Sequence, residues 1–328
     1  MPGRATARQA SASAPLDLSG SVSDNSVMIR IGVDFGGTKI EVAALDAAGA
    51  FVARVRKPNP GAYDASLQVV RDLVAEVEQQ TGATGATVGF GVPGSLSPKT
   101  GRMRNANSVW LNDQPLQQDL ERTLGRAVRL ENDANCFALS EALDGAAKGA
   151  EVVFGAILGT GCGGGVVVRG HTIEGVNRIG GEWGHTPLPW PSAEERAARN
   201  CWCGRSNCLE RWISGTAFSV DYEEATGEKL TGDVIVGRAR AGEAAAIAAL
   251  DRYVDRLGRA LAVICDILDP DAIVFGGGMS NTTELYQRVP PVVARYAFSD
   301  VFLTQIKPAL HGDSSGVIGA AWLWPLET

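Results

Sequence analysis

One histidine and three cysteines lie close together in the chain, with a spacing typical of a metal site. His185 is followed by Cys201, Cys203 and Cys208, so the cysteines have the pattern C-x-C-x4-C. One imidazole and three thiolates form a closed tetrahedral set that suits Zn²⁺, and a closed set leaves no coordination position for chemistry. The alternative is four unrelated residues of a protein in a reducing cytoplasm, but this spacing is uncommon by chance. We therefore predict a structural zinc site.

Two carboxylates lie just outside this ligand set. Glu182 precedes His185 by three residues, and Glu210 follows Cys208 by two. A metal ion fixes the residues beside its ligands as well as the ligands themselves. We therefore expect both carboxylates to be held in position so that they can bind a ligand other than the ion.

Three glycine-rich loops follow predicted buried strands. Glycines lack a Cβ atom, so an anion can approach their backbone N–H groups, and such loops often hold phosphate. Each loop alone is also explained as a tight turn, but three loops at strand ends in one chain favour phosphate binding. The residues are Gly36, Gly37, Thr38 and Lys39 in the first loop, Gly159, Thr160, Gly161, Gly163 and Gly164 in the second, and Gly276, Gly277 and Gly278 in the third.

The second loop formally matches the dinucleotide fingerprint G-x-G-x-x-G over residues 159–164. That fingerprint must open a helix, whereas the three valines at 166–168 predict a strand. A Rossmann site is therefore rejected. The sequence also contains no G-x-x-x-x-G-K-[ST] motif, so this is not a P-loop protein.

Two aspartates are candidates for chemistry beside the phosphates. Asp34 ends the first strand next to the first glycine loop, where it could hold Mg²⁺ directly or through water. The alternative is an aspartate that only caps the turn. Asn132 or Asp133 begins a predicted helix as its N-cap. Backbone N–H groups would keep Asp133 ionised as a base, so capping does not exclude catalysis.

Composition limits the classes of protein that fit. The chain has 328 residues, of which 45% are apolar and 20% charged, and a net charge of −7. The length predicts two lobes, and the negative charge argues against a nucleic-acid or anionic-membrane surface. No apolar run reaches the ~18 residues of a membrane span. We predict a cytoplasmic protein whose residues 1–27 are a disordered tail, with a transit peptide or an early start codon as alternatives.

Apolar periodicity places these candidates on an α/β framework with mixed sheets. Residues 29–44 predict a strand, a glycine turn and a second strand, and residues 152–169 repeat that arrangement. The repeat suggests duplicated halves facing one another. Further strands are predicted over 51–56, 87–92 and 127–130, and helices over 64–80, 116–124, 132 or 133 to about 147, 215–226 and 243–269. A strand before the third glycine loop is expected to lead into another helix.

Taken together, these motifs resemble the ROK family (repressors, open reading frames, kinases) of sugar kinases. The resemblance extends from Met28 to the end of the chain. It is carried by DFGGTK (34–39), ENDANC (131–136), GTGCGGG (159–165), GEWGH (181–185), CWCGRSNCLE (201–210) and IVFGGGMSN (273–281). Three segments, NANSVWLN (105–112), GHTPLPW (184–190) and HGDSSGVIGAAWLWP (311–325), resemble more narrowly the bacterial fructokinases of the manno(fructo)kinase type.

The resemblance implies an α/β, two-lobed actin/hexokinase-like (ribonuclease H-like) fold with a ligand cleft between the lobes. The N-terminal lobe is expected over 28–135, with 311–328 returning to it, and the C-terminal lobe with the zinc site over 136–310. The implied reaction transfers the γ-phosphoryl group of ATP to the 6-hydroxyl of fructose, with mannose as a second acceptor. An N-acetylglucosamine kinase or glucokinase is the alternative, followed by a sugar-responsive regulator without activity.

The resemblance also implies roles for individual residues. Asp133 matches the catalytic base, and the four predicted zinc ligands match the family's own. In the family pattern C-x-C-G-x-x-G-C, Asn207 replaces the second glycine, and because Asn tolerates the left-handed conformation we expect the turn to survive. A homodimer is expected, as is Mg²⁺ with ATP. The implied sugar-contacting residues are Gly94, Asn107, Asn132, Asp133, Glu182, His185 and Glu210, and the implied ATP-binding residues are Gly32, Asp34 and the residues of the three glycine loops.

Overall fold

Two five-stranded sheets form the framework of residues 28–325, the part of the chain that the computed structural model describes. The predicted tail at 1–27 lies outside the described residues. The strands are β1 (Arg30–Phe35), β2 (Lys39–Leu45), β3 (Phe51–Pro58), β4 (Thr87–Val92), β5 (Ser95–Leu96), β6 (Met103–Arg104), β7 (Val128–Asn132), β8 (Val152–Leu158), β9 (Cys162–Val168), β10 (His171–Thr172), β11 (Ala272–Gly276) and β12 (Gln305–Pro308). The α-helices are α1 (Tyr63–Thr81), α2 (Leu116–Leu124), α3 (Asp133–Leu143), α4 (Glu210–Ile213), α5 (Gly215–Thr226), α6 (Gly232–Arg240), α7 (Ala244–Leu268), α8 (Glu284–Tyr296) and α9 (Ser315–Trp322).

The two sheets have the same topology. The first has the order β3-β2-β1-β4-β7 and the second the order β10-β9-β8-β11-β12. In both sheets three strands form an antiparallel meander, and two further strands add to it in parallel. The hairpins predicted at 29–44 and 152–169 are β1–β2 and β8–β9. The glycine run at 159–165 therefore leads into a strand and not into a helix, which agrees with the rejection of a Rossmann site.

Each sheet buries an apolar cluster of its own. Alternate residues of β1, namely Ile31, Val33 and Phe35, are fully buried beneath α1 and α2. The second sheet is covered by α7, whose residues Val254, Leu257 and Leu261 are buried in the same apolar cluster as the sheet. Among residues 28–325, none of the helices has the length and apolar character needed to cross a membrane.

Two helices cross between the sheets. The helix α3 follows β7 of the first sheet, yet it packs against β8 and β9 of the second. Conversely, α9 lies on β1 and β4 of the first sheet, where a Cβ atom at Gly32 would overlap the backbone of α9. The two helices touch at Gly319, where a Cβ atom would overlap the carbonyl group of Cys136. The lobe limits at 135/136 and 310/311 stay predictions.

Differences from the sequence-based expectations include the end of α3, the strand β12 and the third glycine loop. The helix expected to reach about residue 147 ends at Leu143, because the Glu141 carboxylate accepts the N–H of Ala146 and turns the chain. The strand β12 was not predicted, since its residues are half-exposed at a sheet edge and show no apolar alternation. The third glycine loop opens a 3-10 turn, Gly278–Asn281, and α8 begins only at Glu284.

Candidate active site

Two large cavities meet at the second glycine loop. The first has a volume of about 860 Å³. It is lined by loops that follow strands of both sheets, among them the loop after β4 with Gly94 and the loop after β8 with Gly161. The second, of about 700 Å³, lies between the N-terminus of α5, the start of α6 and the third glycine loop. Gly159 and Thr160 line both cavities. A molecule in one cavity can therefore reach a molecule in the other across this loop.

Asp133 lies in the wall of the first cavity, at the N-terminus of α3. Asn132 is the N-cap, and its side chain accepts the N–H of Ala134 at 2.9 Å. The same N–H lies 2.8 Å from Oδ1 of Asp133, whose other oxygen has no hydrogen-bond partner among the described residues. Asp133 is exposed to the cavity, but protein atoms on the other sides of its carboxylate exclude much of the surrounding water. This desolvation, together with the negative charge of Asp34, raises the pKa of Asp133 to about 7. The expectation that capping N–H groups keep the carboxylate ionised is therefore wrong, because the N–H of Ala134 lowers the pKa by less than desolvation raises it.

Asp34 supplies a second carboxylate close to Asp133. It is the next-to-last residue of β1 and lies against Gly316 at the start of α9. Burial raises the pKa of Asp34 to about 6, with a further increase from Glu41 and an opposing effect of Lys39. A half-buried carboxylate that lies close to a second acid is a favourable environment for Mg²⁺, which binds oxygen ligands. The chemistry of this pair therefore fits a divalent cation.

Two glutamates from the metal segment, residues 180–210, face the same cavity. Glu210 begins α4; its Oε2 accepts the N–H of Cys162 at 3.2 Å, and its Oε1 accepts Nε1–H of Trp202 at 2.7 Å. Glu182 has no hydrogen-bond partner for its carboxylate within residues 28–325. Burial raises the pKa of Glu182, while His185 and Arg104 act in the opposite direction. Each glutamate thus keeps acceptor capacity for a ligand.

The four predicted metal ligands converge. The donor atoms of His185, Cys201, Cys203 and Cys208 all lie within 4.8 Å of one another. Nδ1 of His185 is 3.7 Å from Sγ of Cys201, and Sγ of Cys203 is 3.6 Å from Sγ of Cys208. Tetrahedral thiolates at the usual Zn–S distance of ~2.3 Å are about 3.8 Å apart. The donor set therefore fits a tetrahedral metal ion, and Nε2 of His185 is left for another partner.

The turn that carries two of these cysteines keeps its shape despite the missing glycine. Asn207 has a φ of 61° and Gly204 a φ of 85°, so both are in the left-handed region. Oδ1 of Asn207 also accepts the N–H of Arg199 at 2.8 Å. This bond compensates for the cost of a side chain in that conformation, and the expectation that the turn survives is confirmed.

The structure brings the residues assigned to the sugar into a single cavity. The lining of the first cavity includes Gly94, Asn107, Asn132, Asp133, Glu182, His185 and Glu210, together with Gly159, Thr160, Gly161, Gly163 and Gly164. The lining also contains Asn105, Trp202 and Arg205, which were not among the residues assigned to the sugar or to ATP. From the sequence, packing explains Trp202 as one of four tryptophans near the metal segment, but in the structure this residue is 59% exposed.

Several residues assigned to ATP lie elsewhere. Gly32 packs under α9, and Gly276 packs against the ring of Phe137, so both serve close packing in the described structure. Gly277 has a φ of 76° and lies against the backbone of Leu158, whereas Gly278 lines the second cavity. The loop residues Gly36, Gly37, Thr38 and Lys39 line neither cavity; Gly37 and Thr38 are exposed, and Nζ of Lys39 lies 3.6 Å from Glu41.

Most polar residues of the second cavity were missed by sequence reasoning. They come from the first half of α5, from both ends of α6 and from the turn that follows the third glycine loop. The N–H of Gly215 donates to the carbonyl of Gly159 at 2.7 Å, which joins α5 to the second glycine loop. The one available signal was the helix start Ser-Gly-Thr at 214–216. The polar lining consists of Thr160, Thr216, Ser219, Thr231, Asp233, Arg240, Asn281 and Thr282.

Comparisons with known proteins agree with this geometry. The chain matches the ROK family over residues 30–327. It is 41% identical over 297 residues to an N-acetyl-D-glucosamine kinase of Pectobacterium atrosepticum, covering 89% of this chain and 97% of that protein. An N-acetyl-D-glucosamine kinase of Yersinia enterocolitica is 39% identical, with coverage of 89% and 98%.

Solved structures show the same fold. A ROK hexokinase from Thermus thermophilus superposes with a TM-score of 0.80 at 29% identity, covering 90% of this chain and 97% of that one. A ROK family glucokinase from Streptomyces griseus, solved with glucose and AMPPNP, gives a TM-score of 0.73 at 26% identity, with coverage of 90% and 98%. The fold is thus the two-lobed, actin-like fold of sugar kinases. From its motifs, its fold and its sequence match, the chain belongs to the ROK family and is a sugar kinase of that family.

Proposed function

We propose that the protein is an ATP-dependent N-acetyl-D-glucosamine kinase that phosphorylates the 6-hydroxyl of the sugar. The observation that carries this proposal is the 39–41% identity, over 89% of the chain, to relatives named N-acetyl-D-glucosamine kinase. The resemblance of the sequence motifs favoured fructose as the substrate, with N-acetylglucosamine or glucose as the alternative. The relatives support the alternative better, so fructose becomes the second candidate.

In the proposed reaction Asp133 acts as the general base. Its free carboxylate oxygen accepts the proton of the 6-hydroxyl as that oxygen attacks the γ-phosphorus of ATP, and ADP leaves. A base whose pKa is about 7 combines an ionised carboxylate with useful proton affinity. Glu182, Glu210 and Nε2 of His185 accept or donate hydrogen bonds to the other hydroxyls, and so orient the sugar toward Asp133.

ATP is assigned to the second cavity, with its phosphates directed to the second glycine loop. The N–H groups of Gly159, Thr160 and Gly161 would hold the phosphates where the two cavities meet. Asp34 would hold Mg²⁺, whose charge stabilises the transferring phosphoryl group when it is bound. The roles of Gly36, Gly37, Thr38 and Lys39 at the phosphates stay predictions.

The metal of the cysteine cluster is proposed to be structural zinc. His185, Cys201, Cys203 and Cys208 would complete its tetrahedral coordination, so the ion would stabilise the segment and supply no open position to substrate. The homodimer and the cytoplasmic location also remain predictions that rest on the resemblance.

The decisive experiment is an ADP-release assay with N-acetylglucosamine, glucose, mannose and fructose at several concentrations. We expect kcat/KM to be highest for N-acetylglucosamine. A higher value for fructose would overturn the proposed specificity in favour of the second candidate. The matched variant is Asp133→Asn, which removes the base without changing the size of the side chain. It should lower kcat by about 10²–10⁴-fold while sugar binding persists, and a near-normal kcat would refute the role of Asp133.

A further inference from the structure

Trp202 is a large aromatic residue in an unusual place. It lies between two residues of the metal set, Cys201 and Cys203, and its side chain is 59% exposed. Part of this exposed surface faces the cavity whose lining also includes Asp133 and Glu210. A single exposed aromatic residue on the outer surface needs no explanation, but an exposed indole in the wall of a ligand cavity offers an apolar surface that a bound molecule can cover.

The ring is fixed from two sides. Its Nε1–H donates to Oε1 of Glu210 at 2.7 Å. The imidazole of His185 meets it edge-on, with ring centroids 5.0 Å apart and planes at 85°. Because the ring is held before a ligand arrives, little side-chain entropy is lost when it is covered. Because this hydrogen bond joins the indole of Trp202 to the carboxylate of Glu210, a change in the position of one group also moves the other.

Pyranose sugars have a polar rim and apolar faces of C–H groups. In this cavity the carboxylates, amides and imidazole can bind the rim, but the C–H face needs an apolar partner. Aromatic rings with one polar atom combine both properties, because the ring packs against C–H groups while the N–H fixes a polar neighbour. Trp202 is the aromatic residue of this lining that is more than half exposed.

We propose that Trp202 is a further sugar-binding residue. Its ring covers a C–H face of the bound hexose, and its Nε1–H positions the Glu210 carboxylate toward the sugar hydroxyls. This inference rests on the proposed function only in requiring that the cavity binds a hexose. It applies to whichever of the four sugars is the substrate.

The test compares Trp202→Ala, Trp202→Phe and the control Trp190→Phe. Trp190 is 51% exposed and stacks on Tyr296, outside the cavity. Calorimetry with the preferred sugar should give a dissociation constant raised about tenfold in Trp202→Ala, which loses the ring and the hydrogen bond. Trp202→Phe keeps a ring and should lose about threefold, and Trp190→Phe should bind as the wild type does.

A spectroscopic measurement separates ligand contact from a merely structural role. The chain has 7 tryptophans, so the sugar-induced change in fluorescence is compared between variants. The wild type and Trp190→Phe should show the change, and Trp202→Phe should lose most of it. Metal content, measured by plasma mass spectrometry, should be equal in wild type and Trp202→Phe.

The outcomes distinguish this inference from the proposed function. If the wild type phosphorylates a sugar but Trp202→Ala binds that sugar as tightly, the inference about Trp202 is wrong and the kinase proposal stands. If Trp202→Ala loses the metal, the test rests on Trp202→Phe. The inference is wrong if Trp202→Phe binds the sugar with wild-type affinity and shows an undiminished fluorescence change. If none of the four sugars binds or is phosphorylated by the wild type, both proposals fail.

Discussion

Asp133 shows how one carboxyl group can be open to substrate and still poorly solvated. It faces a cavity of about 860 Å³, yet protein surrounds it and Asp34 and Glu182 add negative charge. Both effects favour the protonated form, so the pKa rises above its usual range. The N–H of Ala134 opposes the shift by stabilising the carboxylate. The balance leaves a base that titrates close to neutral pH.

This balance predicts the pH dependence of the reaction. Only the ionised carboxylate can accept the proton, so kcat/KM should rise with pH and level off above about 7, the raised pKa of Asp133. In Glu182→Gln one neighbouring negative charge is absent, and the acid limb should move to lower pH. The measurement is kcat/KM between pH 5 and 9, with the exposed Glu194→Gln as control. A wild-type limb near pH 4, the unperturbed value of an aspartate, would contradict the role of desolvation.

The metal segment depends on two different kinds of anchor. Between His185 and Cys201 the chain is tied to α7 by buried ion pairs: Nη2 of Arg259 lies 2.8 Å from Oε2 of Glu195. The same guanidinium donates to the carbonyl groups of Pro189 and Trp190. The turn that carries the cysteines has no such ion pair within the described residues. Backbone hydrogen bonds hold its ends, such as the one from the N–H of Leu209 to the carbonyl of Thr186 at 2.8 Å, and we expect the metal to hold the rest.

Removing the metal should therefore loosen only part of this segment. In Cys203→Ser the metal content should fall while the fold persists, because the contacts of Arg259 remain. The KM for the sugar should rise about tenfold or more, since Glu210 and His185 lose their support. Metal analysis and steady-state kinetics give the two readouts. Cys265→Ser, on α7 outside the set, is the control, and an unchanged KM in metal-free Cys203→Ser would refute a positioning role for the ion.

Sequence patterns predicted the elements with strong local signals. The helix at 215–226 has a Ser214 N-cap and a Gly227 C-cap, and it was predicted with the observed limits. The edge strand β12 pairs through its backbone with β11, which leaves no signal in its side chains. The strength of the local signal also explains which site residues could be predicted. The sugar residues fall in compact motifs, whereas the second cavity takes single polar residues from α5 and α6 that only the fold brings together.

At the scale of the whole molecule, α3 connects the two sheets, and each of its ends is held by a buried glutamate. Before the helix, Oε1 of Glu131 accepts the N–H of Asn132 at 2.7 Å, and Oε2 accepts the hydroxyl of Thr172 on β10 at 3.2 Å. Near its end, Glu141 is fully buried and binds the segment that leads to α9. A buried carboxylate thus holds each segment that crosses between the sheets: the one that leads into α3 and the one that leads into α9.

Glu141 offers the sharper test, because every contact of its carboxylate is defined. Its Oε2 accepts the N–H groups of Ala146 and Leu310 at 2.9 and 3.0 Å. Its Oε1 accepts the N–H of His311 at 3.1 Å and the hydroxyl of Ser315 at 2.9 Å. All four partners are donors, so the site accommodates a group with two acceptor oxygens.

Glu141→Gln keeps the size of the side chain but replaces one acceptor oxygen by an NH2 donor that must face other donors. The variant loses at least one buried hydrogen bond and leaves N–H groups without acceptors, so the free energy of unfolding should fall by about 2–3 kcal/mol. Urea denaturation followed by circular dichroism measures this change. The control is Glu151→Gln, whose side chain is 71% exposed in a surface ion pair with Arg169. A change in Glu141→Gln no larger than the ~0.5 kcal/mol of an ordinary surface substitution would show that this carboxylate does not hold the two halves of the molecule together.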